Sequence, residues 1–363
     1  MRLESYRSPE LSRRLAARIA VLARELGREI AIMEVCGTHT MSIARCGLRS
    51  LLPESIRLLS GPGCPVCVTA QRDLDRAIAI ALQHPVQVVT FGDMFRVPGS
   101  QASLEQAKAA GARVTTAYSP LAALELARAN PQGQVVFIGI GFETTAPALA
   151  ATMQRARAEN LNNLSLLSLC KLVPPALRAI LTGGQARIDG LLLPGHVSVI
   201  LGSRPYAFIP AEFGIPCVIA GFEPVDILQG LLLLLEQLGQ RRPAVEIAYR
   251  RAVSPEGNPA ARALLAEVFV PCEAEWRALG SLSGSGLALA PAYQSFDARR
   301  RFPVNLPEPK EALGCICGQV LTGQATPRAC PLFGKMCTPE APVGPCMVSS
   351  EGACAACYQY GAR

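Results

Sequence analysis

The sequence predicts an α/β fold with two similar four-stranded parallel-sheet domains and a C-terminal cysteine-rich domain. Short apolar segments alternate with helical ones, and each apolar segment runs into a loop rich in glycine, proline, cysteine or histidine. Seven of the fourteen cysteines fall between positions 315 and 357, which predicts the last domain. We expect domains at 1–130, 131–241 and 242–363, with the N-terminal helix completing the last one.

Composition and charge exclude several classes of protein. With 363 residues, of which 50% are hydrophobic and 17% charged, the chain is long enough to bury a sizeable core and is not disordered. The mean hydropathy is +0.27. However, the densest apolar run, 227–238, is interrupted by polar residues and glycine and is shorter than the ~20 residues that a membrane span needs. The net charge of +7 is scattered apart from 299–301, which argues against nucleic-acid binding.

The expected compartment follows from the first residues and from the cysteines. The amino terminus, MRLESYRSPELSRR, has no apolar segment of the kind that a secretory signal contains, so we expect a cytoplasmic protein. Thiols stay reduced in the cytoplasm. Fourteen cysteines therefore indicate metal binding and redox chemistry rather than a disulfide scaffold.

The first set of elements fills the first 130 residues. An amphipathic helix is expected over 10–27, because Leu11, Leu15 and Ile19 recur at helical spacing and Gly27 follows as the C-cap. Further helices are expected at 74–82, 104–110 and 121–129. Strands are expected at 29–35, 57–59, 86–90 and 112–117, followed by the loops CGTHT, GPGCPVC, FGDMFRVPGS and YSP.

A second set begins at Val135. Its apolar segments VVFIGI, LSLLSLC, IDGLLL and PCVIA run into GFETTAP, KLVPPAL, PGHVSVILG and GFEPVDIL. The loops repeat the spacing of the first set, which indicates a duplication; the alternative is that any two α/β units show such spacings. The matched separations are Cys36 to Cys64 and Phe142 to Cys170, 28 residues each, and Asp93 to Tyr118 and His196 to Phe222, 25 and 26 residues.

Residues 242–363 differ in character. Helices are expected at 259–268 and 273–279, before a small-residue segment, SLSGSGLALAPAY, and the cysteines. Two close pairs, Cys315 with Cys317 and Cys354 with Cys357, fit a zinc site, whereas the other cysteines, set among proline and glycine, fit an iron–sulfur cluster equally well. The segment contains no histidine, so either site would be all-cysteine.

Two loops of the first set carry cysteines that are candidates for nucleophilic, redox or metal-binding chemistry. Cys36 ends a predicted strand beside His39, where a helix N-terminus and an imidazole favour a thiolate, so it is a candidate nucleophile or metal ligand. The alternative is a small buried cysteine in a tight turn. Cys64 and Cys67 form a C-x-x-C before a helix, which is typical of a redox pair; half of a zinc site is the rival reading.

Acidic and imidazole side chains follow other strands. Glu143 in GFETTAP is able either to cap a helix or to take protons, and His196 in PGHVS is either a functional or a buried structural histidine. GFETTAP lacks the third glycine of a dinucleotide loop. If the two sheets face each other, the functional candidates converge on one cleft, where active sites usually lie. These candidates are Cys36, His39, Cys64, Cys67, Asp93, Glu143 and His196.

The motifs MEVCGTHT, SGPGCPVC, FGDMFRVPGS, GFETTAP, PGHVS and CPLFGKMCTPEAPVGPCMVSSEGACAA closely resemble the HypD family of NiFe-hydrogenase maturation factors, over residues 33–357. The resemblance implies a scaffold on which an Fe(CN)2CO group is assembled, in complex with a small HypC-type protein and with cyanide delivered through a HypE-type protein. It implies that Cys36 ligates that iron and that Cys64 and Cys67 exchange electrons by thiol–disulfide chemistry.

The resemblance also implies a C-terminal iron–sulfur domain. The family holds a 4Fe–4S cluster with the spacing C-x14-C-x6-C-x16-C, which is similar to ferredoxin:thioredoxin reductase. The same spacing here selects Cys315, Cys330, Cys337 and Cys354. Three cysteines of the segment are left over: Cys317, Cys346 and Cys357.

Two functions of different class are therefore expected. The first is an assembly scaffold with redox activity, a maturation factor rather than a conventional turnover enzyme. The second is an iron–sulfur-dependent thiol oxidoreductase that reduces a disulfide in a partner protein. A purely structural zinc protein is a poorer hypothesis, because it leaves CGTHT and GPGCPVC without a role. No nucleic-acid partner and no membrane insertion are expected.

Overall fold

The computed structural model describes residues 3–306 and 308–361. Eleven strands are found in this part of the chain, and nine of them form two parallel sheets, which confirms the α/β class. The strands are β1 Ile30–Glu34, β2 Ile56–Ser60, β3 Val86–Thr90, β4 Arg113–Thr116, β5 Gln134–Gly141, β6 Leu164–Cys170, β7 Gly190–Pro194, β8 Cys217–Ala220, β9 Val245–Ile247, β10 Phe269–Trp276 and β11 Gly280–Leu289.

Helices connect the strands and cover the sheets. No helix among the described residues has both the length and the apolar character needed to cross a membrane. The helices are α1 Pro9–Leu26, α2 Gly37–Arg45, α3 Pro65–Val68, α4 Gln71–Gln83, α5 Gly92–Arg96, α6 Leu104–Ala109, α7 Leu121–Ala129, α8 Ala146–Ala158, α9 Val173–Gly183, α10 Gly195–Leu201, α11 Pro224–Gln240, α12 Pro259–Val268, α13 Ala298–Arg301, α14 Cys317–Leu321 and α15 Ala353–Tyr360.

The two sheets draw their strands from both halves of the chain. Sheet 1 has the order β2-β1-β7-β8-β9 and sheet 2 the order β4-β3-β5-β6, all parallel. The boundary expected at residue 130 does not separate them, because β1 pairs with β7, so that β1 and β2 lie in the same sheet as β7 and β8 rather than with β3 and β4. Local hydrophobic patterns predict that a strand forms, but they do not specify which strand becomes its neighbour.

The spacing repeat nevertheless has a structural counterpart. It matches β1 with β5, β2 with β6, β3 with β7 and β4 with β8. Under this matching, the order of sheet 2 becomes that of the first four strands of sheet 1. Each half of the chain thus supplies two neighbouring strands to each sheet. Sheet 1 then gains β9 as a fifth strand.

Apolar packing holds the two sheets together. One continuous core includes Met33 of sheet 1, Ile138 of sheet 2 and Leu74 of α4, all fully buried. The fully buried segments of β1 and β7 carry side chains that are apolar on both faces, as expected for central parallel strands. Because both sheets border this core, their carboxyl edges are held in a fixed relation.

Two expectations were wrong, one about the packing of α1 and one about the conformation of residues 273–279. Helix α1 packs on α11, where Ile19 and Leu231 share a core with sheet 1, so it does not complete the cysteine-rich region. The segment expected as a helix at 273–279 instead lies largely in β10, which pairs with β11 in an antiparallel hairpin. Pairing with β11 and burial of Trp276 outweigh the helical propensity of EAEWRAL.

Candidate functional site

Cys36 lies where the buried strand β1 passes into α2. It is the N-cap residue of that helix and its side chain is buried. The amide of Gly37 donates a hydrogen bond of 3.0 Å to the carbonyl of Gly63 in the loop GPGC. A Cβ atom on Gly63 would lie 2.6 Å from Cα of Cys36, so only glycine permits this approach. The loops CGTHT and GPGC are therefore in backbone contact, and Cys64 follows directly.

The surroundings of the Cys36 thiol do not favour a thiolate, contrary to expectation. Burial raises the pKa of Cys36 to about 12, and the nearby amides of Thr38 and His39 offset only part of this rise. The Thr38 hydroxyl donates to Oε1 of Glu351 at 2.6 Å, and this carboxyl raises the thiol pKa further. A bound metal ion must therefore displace the thiol proton.

His39 does not tune the thiol in the manner expected. Its ring is fully buried, with Nε2 2.9 Å from the carbonyl oxygen of Gly221, and burial lowers its pKa to about 4. The ring packs on Phe222, with centroids 4.8 Å apart, and its Nδ1 is buried without a hydrogen-bond partner. His39 is thus a neutral imidazole directed at the loop after β8.

His196 stacks on the other side of the same aromatic residue. The ring centroids of His196 and Phe222 are 3.8 Å apart, and partial burial lowers the pKa of His196. His196 is exposed rather than a buried structural histidine. The structure therefore links His39 and His196 through Phe222, at the carboxyl edge of sheet 1.

Cys64 and Cys67 form a disulfide across the first turn of α3. Cys64 is the N-cap residue, and its sulfur accepts a hydrogen bond of 3.3 Å from the amide of Cys67. Both residues are buried. The Sγ atom of Cys67 lies 3.8 Å from the carbonyl oxygen of Pro345, in the cysteine-rich region.

Glu143 and Asp93 lie at the carboxyl edge of sheet 2. Glu143 does not cap α8, the helix that follows its loop; its Oε1 instead accepts a hydrogen bond of 2.9 Å from the amide of Val173, the first residue of α9, while Oε2 is buried without a partner. Burial raises the pKa of Glu143 to about 7. Asp93 is exposed near the start of α5. Burial raises the pKa of Glu351, and the nearby carboxyl of Asp93 raises it further. The buried Tyr206 lies close enough to Glu143 and Cys36 that both raise its pKa.

Two carboxyl groups of the site escaped sequence reasoning. Glu351 lies over Gly37, where a Cβ atom would come within 2.5 Å of the Glu351 Cβ. Glu34 is buried at the end of β1; it accepts hydrogen bonds from Thr40 at 2.6 Å and Ser60 at 2.9 Å, and burial raises its pKa to about 7. Glu34 stands in the motif MEVCGTHT and Glu351 in CPLFGKMCTPEAPVGPCMVSSEGACAA, but more than 300 residues separate Cys36 from Glu351, so the sequence gave no sign of their contact.

A second group of sulfur atoms surrounds a small cavity in the C-terminal region. The cavity is lined by all four cysteines that the spacing selects. Burial raises the pKa of Cys354 most, and the neighbouring thiols of Cys337, Cys315 and Cys330 raise it further. Four thiols around one cavity fit the donor set of a 4Fe–4S cluster. The residue types fit such a cluster, but the present positions of the side chains do not: among the described residues, no group of three or more His, Cys, Asp or Glu is arranged to hold a metal ion.

Two of the three remaining cysteines are also brought together. Cys317 and Cys346 form a disulfide, and both line the cavity of the four thiols. Pro345, whose carbonyl lies beside Cys67, directly precedes Cys346. The second disulfide therefore lies between the cavity and the Cys64–Cys67 disulfide. Sequence spacing gave no sign of this pairing, because 29 residues separate the two cysteines.

Comparison with known proteins identifies the family. A family model for HypD, described as "Hydrogenase formation hypA family", matches residues 10–361. The chain belongs to the HypD family. It is 48% identical to hydrogenase maturation factor HypD of Rhodobacter capsulatus, over 98% of this chain and 97% of the relative. It is 46% identical to HypD of Escherichia coli (strain K12), over 99% and 97%. Hydrogenase expression/formation protein HupD of Azotobacter chroococcum mcd 1 is 47% identical, over 99% and 96%.

These matches confirm the resemblance drawn from the motifs. Because they cover nearly the whole length of each relative, the sheets and the cysteine-rich region both belong to the family. The relatives are hydrogenase maturation factors by name, which agrees with the first of the two functions expected from the sequence.

Proposed function

We propose that this protein is a hydrogenase maturation factor that serves, with a small HypC-type partner, as the scaffold for assembly of an Fe(CN)2CO group. Cyanide would arrive through a HypE-type partner, and the complex would work in the cytoplasm. The observation that carries the proposal is the juxtaposition of one free thiol, Cys36, with the buried disulfide Cys64–Cys67, through the contact between Gly37 and Gly63.

Cys36 is the residue that would hold the iron substrate. A thiolate is a soft ligand that suits low-spin iron carrying CN and CO. Once its proton is displaced, the N-terminus of α2 and the nearby amides of Thr38 and His39 would stabilise the negative charge of the sulfur. Glu351, hydrogen-bonded to Thr38, closes one side of the site and limits the access of water.

The disulfides would supply redox chemistry beside that thiol. Reduction of Cys64–Cys67 takes two electrons and two protons and yields two thiols in the loop that contacts Cys36. The four C-terminal cysteines, Cys315, Cys330, Cys337 and Cys354, would hold a 4Fe–4S cluster. Such a cluster supplies single electrons when bound.

One observation favours the second function, that of an iron–sulfur-dependent thiol oxidoreductase. The disulfide Cys317–Cys346 lies beside the four-thiol cavity, as an electron acceptor of a cluster would. The two functions differ in one consequence. A scaffold retains iron with CN and CO ligands in the complex with its partner, whereas an oxidoreductase leaves no such iron behind.

Infrared spectroscopy of the complex with a HypC-type protein tests the proposal. We expect CN and CO stretching bands in the wild-type complex and their loss in Cys36→Ser, because an alkoxide is harder and far more basic than a thiolate. Cys36→Ser should also abolish hydrogenase maturation while keeping the fold and the C-terminal iron. Cys46→Ser is the matched control, since Cys46 is the exposed cysteine at the other end of α2. Bands of full intensity in Cys36→Ser would show that another residue holds the iron.

A further inference from the structure

A cavity of about 410 Å³ lies apart from both groups of cysteines described above. Its walls come from α4, from the edge strand β6 and from the β10–β11 hairpin, and none of its lining residues belongs to the candidate site. The volume falls within the range of small-molecule pockets. This size and separation make the cavity a candidate for a second ligand.

Four cationic side chains line this cavity: Arg72, Arg76, Lys171 and Arg299. The Lys171 side chain is only 2% exposed, and its Nζ donates to the carbonyl of Glu275 at 2.7 Å. Asp73 forms ion pairs with Lys171 at 3.4 Å and with Arg299 at 2.8 Å. One carboxylate thus serves two of the four cations.

Arg76 is the cation that the cavity leaves unsatisfied. Its Nε is buried without a hydrogen-bond partner. Burial lowers the pKa of Arg76, followed by the nearby guanidinium of Arg299. The opposing carboxylates close to Arg76 are Asp73, already engaged twice, and Asp297, which accepts from the amide of Arg299. The cavity therefore holds a buried N–H donor on a guanidinium whose nearest carboxylates already accept hydrogen bonds from other groups.

Two further carboxylates line the cavity, so that its four cations stand against four carboxylates. Glu273 and Glu275 lie on β10 and are both exposed. Neither is among the charged groups that act on Arg76 or on Lys171. A buried guanidinium N–H without an acceptor is costly, and an oxyanion is the ligand that satisfies it.

We propose that this cavity binds a phosphate-type dianion, either free phosphate or the phosphate group of a small ester. The guanidinium groups present planar pairs of N–H donors that match the oxygen atoms of a phosphate, and Lys171 adds a fixed point charge from the cavity floor. A phosphate presents more acceptor oxygen atoms than a carboxylate, so one phosphate is able to engage Arg76, Arg299 and Lys171 together.

Isothermal titration of the full-length protein tests this site, with inorganic phosphate, ribose 5-phosphate and acetate as probes. We expect saturable binding of a phosphate probe with a Kd of roughly 1 mM or tighter, and weaker binding of acetate. Arg76→Gln and Arg299→Gln should each weaken binding at least about tenfold, because each removes a charge-assisted hydrogen bond. Arg13→Gln, at an exposed position of α1, is the matched control and should bind as the wild type does.

The probes also separate the two sources of phosphate. Tighter binding of ribose 5-phosphate than of inorganic phosphate would assign the site to an ester, and equal binding would assign it to free phosphate. Circular dichroism establishes that the variants fold, and Arg299→Gln keeps the test valid if Arg76→Gln does not, since Arg299 is exposed. The proposal is overturned if the wild type binds neither phosphate probe, if both variants bind like Arg13→Gln, or if acetate binds as tightly as phosphate.

Discussion

The two cysteine-bearing regions use the same ligand atom on different supports. At the edge of sheet 1, Cys36 and Cys64 each follow a buried strand and each occupy the N-cap position of a helix. In the C-terminal region, the cysteines lie in loops and short helices around a cavity. The strand-to-helix turns of sheet 1 set individual cysteines at fixed points, whereas the C-terminal loops bring four thiols around one cavity. One residue type therefore forms two different arrangements, and the backbone that carries it determines which.

Loss of iron from the C-terminal region is the largest effect expected. Anaerobically purified protein should contain about four irons per chain and show a broad visible absorption that bleaches on reduction. Cys337→Ser should remove this iron, because it deletes one of four ligands around a closed cavity. Cys272→Ser, in a different cavity, should retain it. Metal analysis that found stoichiometric zinc and no iron would mean that the region is a zinc site.

Breaking the loop contact at sheet 1 should have the next largest effect. Gly63→Ala places a Cβ atom against the backbone of Cys36, and we expect a loss of about 3 kcal/mol in the free energy of unfolding. Gly111→Ala is a control for the loss of a glycine, since a Cβ there meets no atom, although its φ of 103° adds strain of its own. Urea denaturation measures both. Equal effects of the two substitutions would contradict a steric role for Gly63.

The third prediction concerns the Cys64–Cys67 pair. When the protein is mildly oxidised and then unfolded without reductant, both residues should be protected together from alkylation, and in Cys64→Ala the thiol of Cys67 should react; unfolding is needed because both residues are buried in the fold. The exposed Cys46 should be labelled under all redox conditions and serves as the internal control. Mass spectrometry reads out each site. Equal labelling of Cys64 and Cys67 in oxidised and reduced protein would exclude a redox pair.

The smallest expected effect is a change in stability at sheet 2, whose candidate residues, Glu143 and Asp93, carry carboxyl groups rather than thiols. Burial raises the pKa of Glu143 from its ordinary range to about 7, so the folded state binds this proton more tightly than the unfolded state does, and stability falls as pH rises from that ordinary range through 7. Glu143→Gln removes this pH-dependent loss of stability. The free energy of unfolding of the variant, relative to that of the wild type, should therefore be higher at pH 8 than at pH 5 by about 2 kcal/mol.

Urea denaturation at the two pH values measures this difference. Glu125→Gln, at an exposed position of α7, is the control. A stability difference between Glu143→Gln and wild type that did not change with pH would show that Glu143 is ionised in both states.

Local patterns predicted the elements of the fold but not their partners. Strand alternation and loop composition placed β1 to β8 close to their observed positions, because burial on both faces leaves a clear apolar signal. The same signal is present in every central strand, so it does not distinguish β7 from β3 as the neighbour of β1. The helix expected at 273–279 failed for a related reason, since its fate depends on pairing with β11.

The candidate site shows the same difference between features that local patterns predict and contacts that they do not. Cys36, Cys64 and Cys67 were found because each follows a strand at a loop of unusual composition. The directions of the side chains were not predictable: His39 faces Gly221 and Phe222 rather than Cys36. Glu351 and the Cys317–Cys346 pair depend on contacts between distant segments, which no local pattern records.

Because each sheet combines strands from both halves of the chain, the sheets also determine when the site forms during translation. Ile32 pairs with Gly190, and Thr38 contacts Glu351 near the end of the chain. At 5–20 residues per second, a ribosome needs roughly 8 to 30 s to add the 158 residues between Ile32 and Gly190. Neither half of the nascent chain contains all the strands of either sheet. The pocket around Cys36 is therefore complete only after Glu351 has been synthesised, so no shorter nascent chain presents this thiol in its finished surroundings.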